Sequence, residues 1–160
     1  MKMMQQKFLR IKNRAESGQS LVELAASLVL LLVVLAGIVD IGRAILAYFV
    51  LQDAAEEGIV YGTSFPGDCN QIDLRIRNNV AHNIVPSSIT VNIMIQGNSG
   101  TYISCYTIPY TQVYAGKIMR IEITDAFPIT MPFLGTILGS QTIPLKVTTN
   151  GVILRPPPPT

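Results

Sequence analysis

No proline interrupts residues 19–62, and within them Leu24 to Val39 is an apolar run whose most polar member is Ser27. As a helix these sixteen residues would rise about 24 Å, less than the ~30 Å of a bilayer core. Starting at Gln19 gives a full span, but admits Glu23. A carboxylate inside hydrocarbon costs roughly 2.5–3.5 kcal/mol even on the lenient insertion scale. Glu23 must therefore sit near an interface, be protonated, or have a partner. One reading is a capping box, Ser20-Leu21-Val22-Glu23, with Ser20 as N-cap and Glu23 reaching back to its N–H. The other is a charge partner for a new amino terminus made by cutting after Gly18.

The second half of the stretch adds an amphipathic pattern. Ile41, Ile45, Tyr48, Leu51, Ala55 and Ile59 recur at steps of three and four, which predicts one apolar stripe. Asp53, Glu56 and Glu57 fall mostly on the other side. Asp40 and Arg43, at i,i+3, can pair where the helix would leave a bilayer. Their plain role is an interfacial anchor; a contact to another subunit is the alternative. Ala54, Ala55, Gly58 and Gly62 are small and admit close packing, with a sheet of the same chain as the expected partner.

Gly18 with Glu23 five residues on, behind a basic flank and ahead of an apolar run, resembles the type IV prepilin pattern. In that pattern a membrane peptidase cuts after the glycine. Asp40-Ile41-Gly42-Arg43-Ala44, Tyr48, Leu51-Gln52, Ala54-Ala55, Glu57-Gly58 and Tyr61 narrow the likeness, so that residues 14–62 closely resemble TadE-like proteins. Those are pilin-like components of the tight-adherence (Tad/Flp) pilus system. The resemblance implies an α+β, type IV pilin-like fold: a long N-terminal helix, membrane-spanning in its first half, then a short helix and a small antiparallel sheet. It also implies processing at Gly18-Gln19, an assembly or docking role for Glu23, and a structural part in the pilus. The implied partners are a prepilin peptidase, other pilin subunits, the assembly platform and membrane lipid. A glutaminyl terminus at Gln19 can cyclise, which would remove the amine that Glu23 is expected to neutralise.

The charge pattern agrees with a membrane protein. Lys2, Lys7, Arg10, Lys12 and Arg14 precede the run, opposed by Glu16, so the formal +2 of the whole chain is concentrated in its front end. Such a flank reads as cytoplasmic under the positive-inside rule. It is not read as a nucleic-acid arm, because it abuts the apolar run and the rest of the chain has no basic patch. A secretory signal peptide fits residues 1–40 less well. Its small-x-small cut near Ala36-Gly37 would sever the amphipathic helix. Gly18 itself suits a protease, having no side chain and a tendency to interrupt a helix.

The expected organisation is a basic leader at 1–18, a transmembrane half-helix at 19–40, its amphipathic continuation at 41–62, an extracytoplasmic α+β head at 63–154, and a proline-rich tail at 155–160. Pro66-Gly67 is a turn, and Asp68 can N-cap a second helix at Gln71–Ile84, stopped by Val85-Pro86. Alternation from Ile89 to Ile95 predicts a strand. A turn at 97–100 leads to a return strand at 102–108. Another strand is expected at 118–124, with Arg120 and Glu122 on its wet face, then a loop from Phe127 to Ser140. Within that loop Phe133, Leu134, Ile137 and Leu138 could form a helical turn or rest on a membrane. The last strand lies within 142–154, with Pro144 marking an edge. The 155–160 tail is expected to be an exposed polyproline segment.

Cys69 and Cys105 both follow the run. If oxidised they would close a loop of about 35 residues, which chain entropy values at roughly 3–4 kcal/mol. No catalytic constellation, metal-ligand cluster or cofactor motif stands out: His82 is the sole histidine, and a structural zinc site wants four ligands. The function expected is a minor pilin or pseudopilin; the alternative is an uncleaved, membrane-anchored extracytoplasmic binding module.

Overall fold

The computed structural model describes the backbone of residues 2–81, 84, 88–131, 135–136 and 139–154, and side chains from residue 18 onward. The expectations for His82, the Val85-Pro86 stop, the apolar residues Phe133, Leu134, Ile137 and Leu138, and the 155–160 tail lie outside the described residues.

Helix α1 runs unbroken over Lys2–Ser64. Two expectations fail on this continuity. Gly18 does not interrupt the helix, and Ser20 is not an N-cap, because a residue inside a helix has no free first-turn N–H groups to satisfy. Helix α2, Cys69–Val80, starts two residues before the expected boundary and buries Cys69, Ile72, Ile76 and Val80. Asp68 stands at its N-cap position but makes no side-chain cap. Its carboxylate instead accepts the Tyr61 hydroxyl at 3.3 Å.

Four strands follow: β1 Thr90–Gln96, β2 Tyr102–Ser104, β3 Ile118–Pro128 and β4 Thr142–Val152. They form one sheet in the order β2-β1-β3-β4, antiparallel throughout. A 3-10 turn, Tyr110–Gln112, lies between β2 and β3. β2 is shorter than expected, because the chain turns at Ser104, whose carbonyl accepts the N–H groups of Thr107 and Ile108. β3 is longer, continuing through Phe127 and Pro128 as partners of Ile143 and Thr142. Pro128 ends the strand, where its missing N–H is tolerated, and Phe127 is buried. β4 is an edge strand, as Pro144 suggested.

The alternation of β1 and β3 sorts the sheet into two faces. Ile93, Ile95, Met119, Ile121 and Ile123 turn inward and are buried with Leu51, Ala55, Ile72, Ile76 and Val147. On the other face Lys146 pairs with Glu122 at 2.8 Å. Arg120 donates to Asn150 at 3.0 Å and stacks its guanidinium 3.9 Å from the Tyr102 ring centre. Both helices therefore cover the inner face. Arg75 of α2 joins them, pairing with Glu57 at 3.1 Å and lying over Tyr61.

The small residues of α1 allow that approach. A Cβ added at Gly58 would stand 2.6 Å from Ile76 Cγ1 and 3.1 Å from Ile121 Cδ1. Gly62 faces Met119 and Ile72 in the same way. At the far end the Thr63 carbonyl of α1 accepts the Leu154 N–H at 3.0 Å. β3 thus descends antiparallel to α1, from Met119 beside Gly62 to the segment beside Asp40.

Candidate functional site

The sequence-selected residues fall in three places along α1. The first is the junction. Gly18, Gln19 and Glu23 are exposed, and no atom lies within 4 Å of the place a Gly18 Cβ would occupy. Gln19 Nε2 donates to Glu23 Oε1 at 3.2 Å. One helical turn therefore brings the Glu23 carboxylate to residue 19, the position that a cut after Gly18 would make the new terminus.

The second is the surface from Leu21 to Val39. Leu21, Val22, Leu24, Leu28, Leu31 and Leu35 are exposed, with most of their neighbours. The head covers none of this stretch except its last turns. Residues 18–64 contain a segment long and apolar enough to cross a membrane. By length and composition this fits a single-pass membrane anchor.

The third place is Asp40, and here the structure adds what the local pattern lacked. Asp40 is buried. Arg43 Nη1 donates to its Oδ1 at 3.0 Å, as the i,i+3 spacing suggested. The Thr130 N–H donates to Oδ2 at 2.9 Å, the Met131 N–H donates to the same oxygen, and the Thr130 hydroxyl donates to Oδ1. Arg43 Nη1 also donates to Thr130 Oγ1 at 2.7 Å, and its guanidinium lies 5.3 Å from the Phe127 ring centre. The carboxylate is thus a latch holding the end of β3 to the rod. Thr130 and Met131 carried no sequence signal for this role, since their partner lies ninety positions away.

The apolar stripe is divided at this level. Leu51, Ala55 and Ile59 are buried as expected, but Ile41, Ile45 and Tyr48 are exposed. The head-facing stripe continues instead through Ala47, Ala44, Asp40 and Gly37, again at steps of three and four. Small residues and one latch face the sheet there; bulky apolar ones face outward. Tyr48 stands apart from Asp40 and Arg43, its ring edge-on to Phe49 at 6.2 Å. Beside the latch is a cleft of about 450 Å³ lined by Arg43, Ala47, Val50, Ile84, Asp125 and Phe127. The buried Asp125 accepts the Ser88 hydroxyl at 2.9 Å.

Cys69 and Cys105 form a disulfide, with Cα atoms 6.0 Å apart. It ties the start of α2 to the end of the β1–β2 hairpin. The Tyr106 hydroxyl donates to the Cys69 carbonyl at 3.4 Å; burial, with the Asp73 charge, raises this phenol above its ordinary pKa, while Arg77 opposes the shift. Among the described residues no group of three or more His, Cys, Asp or Glu is gathered to hold a metal.

Residues 18–59 match the model of the TadE-like proteins. Over that stretch the chain is TadE-like. The match covers the junction, the exposed apolar surface, Asp40 and Arg43, and Ala54, Ala55 and Gly58; Gly62 and the Thr130–Met131 side of the latch lie beyond it. It associates the chain with the tight-adherence pilus system. No curated protein and no solved structure matches the chain.

Proposed function

We propose that the chain is a minor pilin or pseudopilin of a tight-adherence type pilus. A prepilin peptidase severs Gly18-Gln19, and the trimmed protein takes part in assembling the surface filament. The orientation is leader inside and head outside, set by the basic flank. The carrying observation is the bare apolar face of α1 from Leu21 to Val39, directly behind an accessible Gly18 and a Glu23 turned to residue 19. In the bilayer that face meets lipid. On leaving it, the face needs the equivalent faces of other subunits, so helix packing replaces lipid contact. Glu23 serves register more than raw stability in such packing, because ion pairs out of water roughly break even.

One observation favours the second reading, an uncleaved membrane-anchored binding module. α1 is helical on both sides of Gly18, and a protease needs an extended bond. Cleavage therefore requires local unwinding at the junction. Glycine helps there, since it is about 1 kcal/mol worse than alanine within a helix. Sequencing the amino terminus of membrane-isolated protein separates the readings. A chain beginning at Gln19 or its cyclised form, with G18V blocking the change, supports the pilin; a retained leader beside an active peptidase supports the anchor.

A further inference from the structure

We infer that the β3–β4 end of the head is immersed in the outer leaflet of the bilayer, resting on the reading of α1 as the membrane span. The depth follows from counting along the rod. With Glu23 at the inner boundary, a ~30 Å core takes about 20 residues from Leu24, which places the outer boundary near Arg43. Met131 lies well below that level. Its sulfur reaches Gly37, standing 3.5 Å from where a Cβ would be. Six residues of helix separate Gly37 from Arg43, so the Met131 sulfur is ~9 Å inside, while its amide, bonded to Asp40, is ~4–5 Å inside. With Gln19 at the inner boundary instead, the outer one falls near Ile38, and Met131 is still at it. Tilting the rod lengthens the immersed stretch.

The chemistry of the surface agrees with this depth. Between Asp125 and Lys146 the sequence holds no charged residue, unlike the Arg120–Lys146 region of the outer sheet face. Ile143 is exposed although it belongs to the helix-facing row of β4, beside Phe127. On α1 the bulky Ile41, Ile45, Leu46 and Phe49 are exposed beyond the run. They continue its greasy surface through the ~5–7 Å headgroup layer, where aromatic residues concentrate. The one acidic group at this depth, Asp40, is closed off by the Thr130 and Met131 amides and by Arg43. The latch that docks the head therefore also shields a carboxylate from hydrocarbon, where it would otherwise be costly. The occupant of this surface is lipid acyl chain, not a protein groove-filler.

The chain has no tryptophan, so a single introduced one reports its own depth. Full-length I143W, L31W and V152W are reconstituted in phosphatidylcholine vesicles carrying brominated acyl chains. Bromine should quench I143W less than the mid-span L31W, because Ile143 pairs with Phe127 at the level of Arg43, but several-fold more than V152W, which marks the opposite end of the same strand. Equal quenching of I143W and V152W overturns the inference while L31W quenching preserves the membrane anchor; an unquenched L31W sinks both. Blue-shifted but unquenched I143W means protein covers the patch and also overturns it. The unmutated chain gives a second measurement. A photoactivatable acyl-chain probe should label the tryptic peptide Ile121–Lys146 and spare the segment after Lys146; labelling of both or of neither contradicts the immersion.

Discussion

Asp40 takes at least four hydrogen bonds and faces a cation at 3.0 Å, so its removal leaves two backbone N–H groups and a guanidinium short of an acceptor. Buried donors left unpaired lose the hydration they gave up on folding. D40A should therefore release Ile129 to Met131 from the rod while β3 keeps its pairing with β1. Hydrogen exchange reads this directly: amides of Thr130 and Met131 speed up, and those of Ile121 and Ile123 stay protected. Unchanged exchange at 130–131 would show that packing of Phe127 and Ile129, not the carboxylate, holds the segment. D40N keeps one acceptor oxygen and should fall between. The Asp40–Arg43 spacing was legible in the chain because i,i+3 neighbours meet on any helix. Thr130 and Met131 were not, because no local period links residues brought together by the descent of a strand along a helix. The cap reading of Ser20 to Glu23 failed for a different reason. S-x-x-E is a cap signature only where a helix begins, and nothing in four residues tells whether the preceding turn is already helical.

At the scale of elements, α1 and the sheet interlock through glycine. A methyl at Gly58 would press on Ile76 and Ile121 at 2.6 and 3.1 Å. Overpacking of this kind typically costs about 1–3 kcal/mol, offset by up to ~1 kcal/mol of helix propensity for G58A. G58V lacks most of that offset and adds two further carbons, so the head should melt progressively lower from wild type to G58A to G58V in thermal scans of the detergent-solubilised chain. A rise for G58V would mean the contact relaxes freely. The disulfide acts on the same elements from outside. It spans 36 residues, for which the loop-entropy relation gives roughly 3–4 kcal/mol. Reducing it, or replacing both cysteines by serine, should lower the melting temperature of the head without altering the helix content of α1; a melting temperature unmoved by reductant would show that the α2–hairpin contact holds without the bond. The small residues, the strand alternation and the cysteine pair were all readable, since each depends on spacing alone. The extension of β3 through Pro128 was not. Proline and glycine between 128 and 139 read as breakers, whereas a terminal strand position has no ladder N–H to lose.

At the scale of the whole molecule, the proposed cut changes the sign of the protein. Five Lys/Arg and one Asp/Glu lie in residues 1–18, so removing them from 12 and 10 leaves seven basic against nine acidic groups, and a formal +2 becomes −2. The precursor, with a sequence pI near 8.6, should focus on the basic side and the mature form on the acidic side. Cyclisation of Gln19 would remove one more positive charge and move the band further towards acid. The two-dimensional pattern from cells holding an active prepilin peptidase should then show an acidic species with a mass shortened by the leader. Cells lacking the peptidase, or carrying G18V, should show the basic species alone. The charge change has a physical consequence for assembly. In the proposed orientation, before the cut a cluster of cations at the inner surface opposes any outward movement of α1, because those charges would have to cross hydrocarbon. After the cut, Glu23 with its new amine is the one ionisable site left on the rod between its start and Asp40. Extraction from the bilayer then requires neutralising a single pair rather than dragging five cations through. A basic band in purified filaments would contradict this sequence of events, since a retained leader could not have passed the membrane with the helix.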